Sequence, residues 1–340
     1  MSLLAGCSPD ADAPADASGI GVAAAGPGPA GGGPQNSGGG NTAFLAKVAD
    51  APDRVAHRGT RKLELYYGGP AGVIYREDIG TDGKGYFSIE LIELLTPHPN
   101  PQFFQILQDG RQVMTYRFRD WLIRDYDLFL ANYTHSVLNW STVVAGRSCV
   151  QLDVMSTAPG TQIRYVVDVD PTNGMVMRWE EQDLAGQVLA RMEYETYEPR
   201  GDVSDMTLVR RNFPTSGHDL DEDLDAIFGF QPLIPSLLPN SAFQVLPDIE
   251  KSTVPNFQGG PDAVWAKVYV TDGLEFAVVM SQARDPNPDN GEGLLGVVDH
   301  MQLGSWGALR GDMHGFPFVV AGKFGLDNLT LMLQSAVDGR

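Results

Sequence analysis

Alternation of apolar and polar positions is the strongest pattern in this chain. Between residues 161 and 199 it has the period of two that is typical of β-strands. In the middle of this stretch, Met175, Met177 and Trp179 fall on one face and the charged Arg178 on the other. We therefore predict strands with one charged, solvated face and one face lined by Met, Trp and Tyr side chains.

Turn residues separate these strands. Residues 170–174 read Asp-Pro-Thr-Asn-Gly, in which Pro fixes one φ and Asn-Gly supplies the positive φ of a tight reversal. Residues 184–186, Leu-Ala-Gly, form the next turn. The same alternation is present earlier at residues 61–67 and 111–118, a returning strand is predicted at 73–79, and residues 86–95 predict a long strand of mixed apolar composition. Hairpin after hairpin with few helices predicts a mainly β fold of the α+β class, whose sheet is a strongly curved antiparallel half-barrel.

Helices are expected at only a few places. Phe44, Leu45 and Val48 lie at helical spacing, with Thr42 in position to cap the helix and Pro52 to end it. Such helices would cover the half-barrel. Near the end of the chain, residues 326–336 predict another helix.

The N-terminal residues resemble a lipoprotein export signal. Residues 4–7, Leu-Ala-Gly-Cys, match the lipobox in which the signal peptide is cut before a lipidated Cys, here Cys7. We interpret residues 1–7 as the remnant of such a signal. Residues 8–40, rich in Gly, Ala and Pro, cannot form a core and predict a disordered tether. Ser8, directly after the Cys, favours the outer membrane.

Composition narrows the function classes. The formal charge of −19 argues against nucleic acid as a partner, because a phosphate backbone is bound mainly by clustered Lys and Arg. No stretch is typical of a transmembrane helix. Of the two cysteines, Cys149 lies in an alternating run and is expected to be a buried thiol.

No pattern in the sequence predicts catalysis. The six histidines share no metal-ligand spacing, and we expect them at the surface or in loops. Neither a nucleophile elbow nor a phosphate-binding loop occurs. Residues 78–89 begin like a calcium loop but end in Ile89, where a bidentate Glu is required. We therefore predict no enzyme activity, no cofactor and no metal.

Several turn and strand segments carry a family resemblance. They are residues 58–60 (Arg-Gly-Thr), 144–149 (Val-Ala-Gly-Arg-Ser-Cys), 164–170, 173–174, 179–180, 185–187, 269–278 and 318–323. These segments resemble the RseB/MucB family of envelope-stress regulators, within the LolA/LolB group of lipoprotein carriers. The tether and the loop at residues 285–293 depart from the family pattern.

The resemblance implies two domains. A LolA/RseB-like half-barrel would span residues 41–215, an acidic connector 216–230, and a smaller C-terminal α+β domain with an antiparallel sheet 231–340. A protein of this kind binds the periplasmic part of a membrane anti-sigma factor and releases it when lipid occupies the half-barrel. The resemblance and the lipobox together predict a lipid-anchored protein on the periplasmic side of a bacterial envelope.

The apolar face of the half-barrel has two interpretations. It is either an ordinary core or a cavity for acyl chains or for the apolar anchors of a peptide, and Met content favours the cavity. The candidate lining residues are Leu63, Leu65, Tyr67, Met114, Tyr116, Phe118, Ile163, Tyr165, Met175, Met177, Trp179, Met192 and Tyr194.

Three functions remain open. The first is a regulator of an anti-sigma factor that senses lipid. The second is a lipid or lipoprotein carrier like LolA or LolB. The third is a structural envelope lipoprotein with a filled core and no ligand.

Overall fold

A computed structural model describes most of the chain after the tether. The described residues are 40–66, 72–97, 120–158, 163–210, 218–254, 263–283, 295–303, 306–313 and 316–338. Several predicted features lie outside them, namely Cys7 with its lipobox, the tether, the loop at 285–293 and the candidate ligand residues Tyr67, Met114, Tyr116 and Phe118.

The first sheet contains ten strands among the described residues. They are β1 (His57–Tyr66), β2 (Gly72–Thr81), β3 (Tyr86–Leu94), β4 (Tyr133–Val144), β5 (Arg147–Ser156), β6 (Ile163–Val169), β7 (Val176–Asp183), β8 (Val188–Tyr194), β9 (Glu198–Pro199) and β10 (Val209–Arg210).

Their order across the sheet is β10-β3-β2-β1-β8-β7-β6-β5-β4, with β9 beside β1. Neighbouring strands are antiparallel throughout. The end strands β4 and β10 do not pair with each other in the described part of the chain. The sheet is therefore the open antiparallel half-barrel that the alternation predicts.

Two of the described helices, α1 (Gly40–Arg54) and α2 (Tyr126–Asn132), pack on the first sheet. Leu45 and Val48 of α1 and Phe129 of α2 are buried in the same core cluster as the sheet's apolar residues. The prediction that α1 ends by Pro52 is wrong, because the helix continues to Arg54. A proline in the last turn removes one backbone donor, and the turn still closes because Val55 N donates to Ala51 O at 2.9 Å.

The second sheet contains eight strands within the described ranges and carries two more helices. These elements are β11 (His218–Asp219), α3 (Leu224–Phe228), β12 (Gln244–Val245), β13 (Asp248–Val254), β14 (Ala263–Thr271), β15 (Phe276–Gln282), β16 (Leu295–Leu303), β17 (Trp306–Met313), β18 (Phe316–Gly322) and α4 (Leu326–Asp338).

The order in this sheet is β11-β13-β14-β15-β18-β17-β16, with β12 beside β14. The acidic segment before β12 contributes directly to its core. Leu224 and Phe228 of α3 are buried against the sheet, whereas the charged residues 221–223 are exposed. Asp223 caps α3 by accepting a hydrogen bond from Ala226 N at 3.2 Å.

Edge strand β4 is irregular. Its register with β5 shifts twice, between Val137 and Asn139 and again between Asn139 and Thr142. Trp140 lies in this stretch and is 72 % exposed. The sheet therefore ends in a bulged strand that carries a large apolar side chain on its outside.

Candidate functional site

The apolar face of the first sheet is organised in rows that run across neighbouring strands. One row consists of Leu63, Met192, Trp179, Val167 and Leu152, paired in register from β1 through β8, β7 and β6 to β5. All five side chains are buried. Strand alternation explains this row, because in each strand the residues two positions from the row member point to the same face.

The next row contains a charge. It consists of Leu65, Ala190, Glu181, Tyr165 and Val154. All are buried, and Glu181 is 0 % exposed. Glu181 stands two residues after Trp179 in β7, so its carboxylate is on the apolar face.

The structure places the described candidate residues together. Ile163 is partly buried against the core cluster, and the others are buried within it, namely Leu63, Leu65, Tyr165, Met175, Met177, Trp179, Met192 and Tyr194. That they line a ligand cavity stays a prediction.

A small cavity of about 30 Å³ lies beside Trp179. Met175 and Met192 also line it, together with Arg61 and Trp121. This volume admits about one water molecule, whereas small-molecule pockets measure roughly 300–1,000 Å³. An acyl chain therefore requires the surrounding side chains to move.

A buried ion cluster borders this cavity. Arg61 is paired in register with Glu77 and contacts its carboxylate, and its Nη1 lies 2.8 Å from Asp120 Oδ2. All three side chains are buried. Arg61 stands two residues before Leu63, so the alternation that located Leu63 also places Arg61 on the apolar face.

A second buried cluster joins the two sheets, and we call it the Lys323 cluster: Lys323, Glu181, Glu275, Tyr165 and Trp179. Lys323 follows β18, and its Nζ lies 3.0 Å from Glu181 Oε2 and 3.6 Å from Glu275 Oε1. Nζ also donates to Tyr165 Oη at 3.1 Å. It lies 4.8 Å from the Tyr165 ring centre and 5.5 Å from that of Trp179, within cation–π range.

Electrostatics keeps Lys323 charged. Burial lowers the pKa of Lys323, but the carboxylates of Glu181 and Glu275 outweigh burial, so the net pKa is raised. For Glu275, burial raises the pKa despite the opposing effect of Lys323. The Lys323 cluster therefore depends on an ammonium group between carboxylates and aromatic rings.

A turn of the second sheet inserts beside this cluster, and we call it the docking turn (residues 272–275, between β14 and β15). Leu274 is 5 % exposed and belongs to the core cluster of the first sheet. Asp272 Oδ2 accepts a hydrogen bond from Tyr133 Oη at 2.7 Å. Gly273 has φ +105°, and a Cβ there would lie 2.3 Å from Phe129 N. The docking turn of the second sheet is therefore packed into the core of the first sheet.

The opposite face of the first sheet carries paired charges. Arg178 Nε lies 2.6 Å from Asp168 Oδ2, and Arg164 Nε lies 2.6 Å from Asp153 Oδ1. This is the charged face that the sequence predicts, and the arginines lie partly exposed on it.

The expectation that the histidines lie at the surface or in loops is wrong for His57. His57 is buried, with Nε2 2.7 Å from Tyr194 Oη and Nδ1 3.1 Å from Val55 O. The neighbouring groups fit an Nδ1–H that donates to the carbonyl and an Nε2 that accepts from the phenol. As the first residue of β1, His57 lies on the same face as Arg61 and Leu63.

One further expectation concerns a cysteine. Cys149 is a free, buried cysteine, as predicted, and burial raises its pKa to about 11.

Within the described residues, no group of three His, Cys, Asp or Glu side chains could hold a metal ion. None of the described helices is long and apolar enough to cross a membrane.

Comparisons with known proteins give structural neighbours. No protein-family model matches the sequence, and no curated protein matches it. The structure is similar to MucB in complex with MucA(peri) at a TM-score of 0.49 and 14 % identity, over 86 % of this chain and 97 % of that one. The Pseudomonas aeruginosa MucA/MucB complex gives a TM-score of 0.46 at 15 % identity, over 87 % and 96 %.

A LolA superfamily protein from Nitrosomonas europaea is also similar, with a TM-score of 0.20 and 11 % identity, over 48 % of this chain and 94 % of that one. Each of these structures is less than 25 % identical to this chain and has a TM-score below 0.5.

Proposed function

We propose that this chain is a non-enzymatic, lipid-anchored envelope protein on the periplasmic side, which binds acyl chains on the apolar face of its half-barrel and thereby regulates a protein partner. The partner implied by the sequence resemblance is the periplasmic part of a membrane anti-sigma factor. Lipidation of Cys7 and placement in the outer membrane belong to the same proposal.

One observation carries the proposal. Leu274 of the second sheet is buried in the core cluster of the first sheet, which also contains eight of the nine described candidate lining residues. An acyl chain that enters this cluster competes with Leu274 for the same apolar contacts. Lipid binding then changes how the docking turn is held, and a partner that distinguishes the two arrangements is bound or released.

A structural lipoprotein without a ligand is the second candidate. The burial of Met177, Trp179 and Met192, together with a cavity of only about 30 Å³, favours this function. In that case the apolar face is an ordinary core.

Native mass spectrometry separates the two candidates. The whole chain with Cys7→Ser, which removes any acyl group on the anchor itself, is purified from a bacterial host and its bound lipid is extracted with solvent. We expect a fatty acid or phospholipid to be released, and we expect Met175→Trp, which fills the space beside Trp179, to reduce it.

Met155→Trp is the matched control, because Met155 is an exposed methionine of the same sheet. It should leave the bound lipid unchanged. An apo mass for the Cys7→Ser chain, with no uptake of a fluorescent fatty acid, would establish the structural candidate instead.

A further inference from the structure

The Lys323 cluster contains the elements of an ammonium-binding site. Carboxylates and aromatic faces around a cation are the groups by which proteins recognise ammonium ions. Glu181, Tyr165 and Trp179 all belong to the first sheet, whereas the ammonium between them belongs to Lys323, which follows the last strand of the second sheet. The half-barrel therefore provides one carboxylate and both aromatic rings of the site, and the second sheet provides the other carboxylate, Glu275, and the occupant.

We propose that this site also accepts the ammonium group of an amphiphile whose chain lies on the apolar face, so that the ligand replaces Lys323. The inference rests on the proposed function and names its ligand class: a primary amine attached to an acyl or alkyl chain.

Burial makes the replacement specific. Glu181 is fully buried, and a buried carboxylate that loses its cation is strongly destabilised. If the second sheet withdraws Lys323, another cation must take its place. A ligand with an anionic head would add a second negative charge beside Glu181, which is unfavourable in an interior of low dielectric.

Hydrogen-bonding capacity at the site supports the same conclusion. Lys323 Nζ lies 3.0 Å from Glu181 Oε2, whereas Glu181 Oε1 accepts no hydrogen bond from the described residues. A ligand ammonium has three N–H donors and is not bound to a backbone, so it can align with these oxygens. Lys323 leaves one carboxylate oxygen, Glu181 Oε1, that a free amine can use.

The position of the site explains how chain and head group bind together. Trp179 and Glu181 are two residues apart on one face of β7, and Trp179 is flanked in its row by Met192 and Val167. The row of Trp179 and the row of Glu181 are adjacent on this face. A ligand whose chain contacts the row of Trp179 therefore has its head group within reach of Glu181. One ligand thereby contacts the cavity and displaces Lys323.

Calorimetric titration of the whole Cys7→Ser chain with n-octylamine hydrochloride and with sodium octanoate, at equal ionic strength, tests the inference. We expect octylammonium to bind about tenfold tighter than octanoate, as one desolvated charge pair with cation–π contacts provides. Glu181→Gln should abolish this preference. Glu90→Gln, which removes an exposed carboxylate from the same sheet, should leave it intact.

Lys323→Met provides a second test that tolerates partial loss of stability. The variant leaves Glu181 without its lysine, so octylammonium should raise its melting temperature more than it raises that of the unsubstituted chain, and octanoate should not. This effect should disappear in the double variant with Glu181→Gln.

The outcomes separate this inference from the proposed function. Octanoate that binds as tightly as octylammonium, or a preference unchanged by Glu181→Gln, overturns the ammonium site and leaves acyl binding standing. Binding of neither amphiphile, together with an apo mass for the purified chain, overturns acyl binding and the ammonium site with it.

Discussion

Charged side chains on an apolar face need partners, and in this protein the partners come from other elements. Arg61 of β1 meets Glu77 of β2 and Asp120, and Glu181 of β7 meets Lys323 from beyond β18. Removing one member of such a pair costs more than the pair contributes, because it leaves a buried charge alone. Individual residues therefore couple distant parts of the chain.

The hydrogen bond between Tyr194 and His57 gives a prediction at this scale. Tyr194→Phe removes a hydroxyl that lies 2.7 Å from the buried Nε2 of His57. We expect the free energy of unfolding in urea to fall by about 1–3 kcal/mol. Tyr86→Phe, at an exposed tyrosine, should change it by less than about 0.5 kcal/mol. Equal effects of the two substitutions would contradict the buried hydrogen bond.

Asp272 predicts a pH dependence. Burial raises its pKa, although the hydroxyl of Tyr133 and backbone N–H groups oppose the shift. A raised folded-state pKa means that this group's contribution to stability is present below the unfolded-state pKa of about 3.9 and is lost as pH rises through the folded-state value. An asparagine at this position cannot titrate. Asp272→Asn should therefore gain stability relative to the unsubstituted chain as pH rises to neutrality.

Urea unfolding at a series of pH values measures this difference. Asp221→Asn, at an exposed carboxylate, is the control and should show a difference that does not vary with pH. A flat difference for Asp272→Asn as well would mean that Asp272 has an ordinary pKa in the folded chain.

At the scale of elements, local signals predict the strands well. The Asn-Gly turn before β7 and the period of two in β7 and β8 act between near neighbours, so both are visible in the sequence. Alternation also locates Arg61 and Glu181 on the apolar face, but it does not identify the groups that neutralise them. The predicted end of α1 is wrong because a proline in the last turn is tolerated when a backbone hydrogen bond after it, here from Val55 N to Ala51 O, still forms.

Gly273 tests the docking turn as an element. Gly273→Ala places a Cβ 2.3 Å from the backbone of Phe129 at φ +105°, so both strain and a clash oppose it. Gly186→Ala, at φ +82° with no described atom within 4 Å of the added Cβ, suffers backbone strain alone. We expect a loss of about 1–2 kcal/mol for Gly186→Ala and at least about 2 kcal/mol more for Gly273→Ala. Similar losses in urea unfolding would mean that the turn is not packed against α2.

At the scale of the whole molecule, a turn of the second sheet is buried in the core of the first sheet, and no local pattern in the sequence predicts this. Leu274 stands in a turn, where an apolar residue has no periodic signal, and the cluster that buries it is built from elements much earlier in the chain. The burial of Leu224 and Phe228 after an acidic run cannot be predicted from the local sequence for the same reason. Both features depend on long-range packing.

Shared packing predicts cooperative unfolding. In hydrogen exchange at increasing urea concentration, protection of β6–β7 and of β14–β15 should be lost together. Leu274→Asp places a charge where the docking turn enters the core of the first sheet and should separate the two transitions. Leu237→Asp, at an exposed leucine, should leave them coincident. Coincident transitions in the Leu274→Asp chain would show that other contacts suffice to couple the sheets.

The irregular edge strand has a consequence for crowding. A regular edge offers unpaired backbone donors and acceptors to any second copy, and Trp140 on this edge adds an apolar contact that favours association. The two shifts of register in β4 interrupt the repeat that a second strand would have to match. Copies held close together on a surface would therefore meet without extending one sheet into the next, which protects the protein from fibre growth at high local concentration.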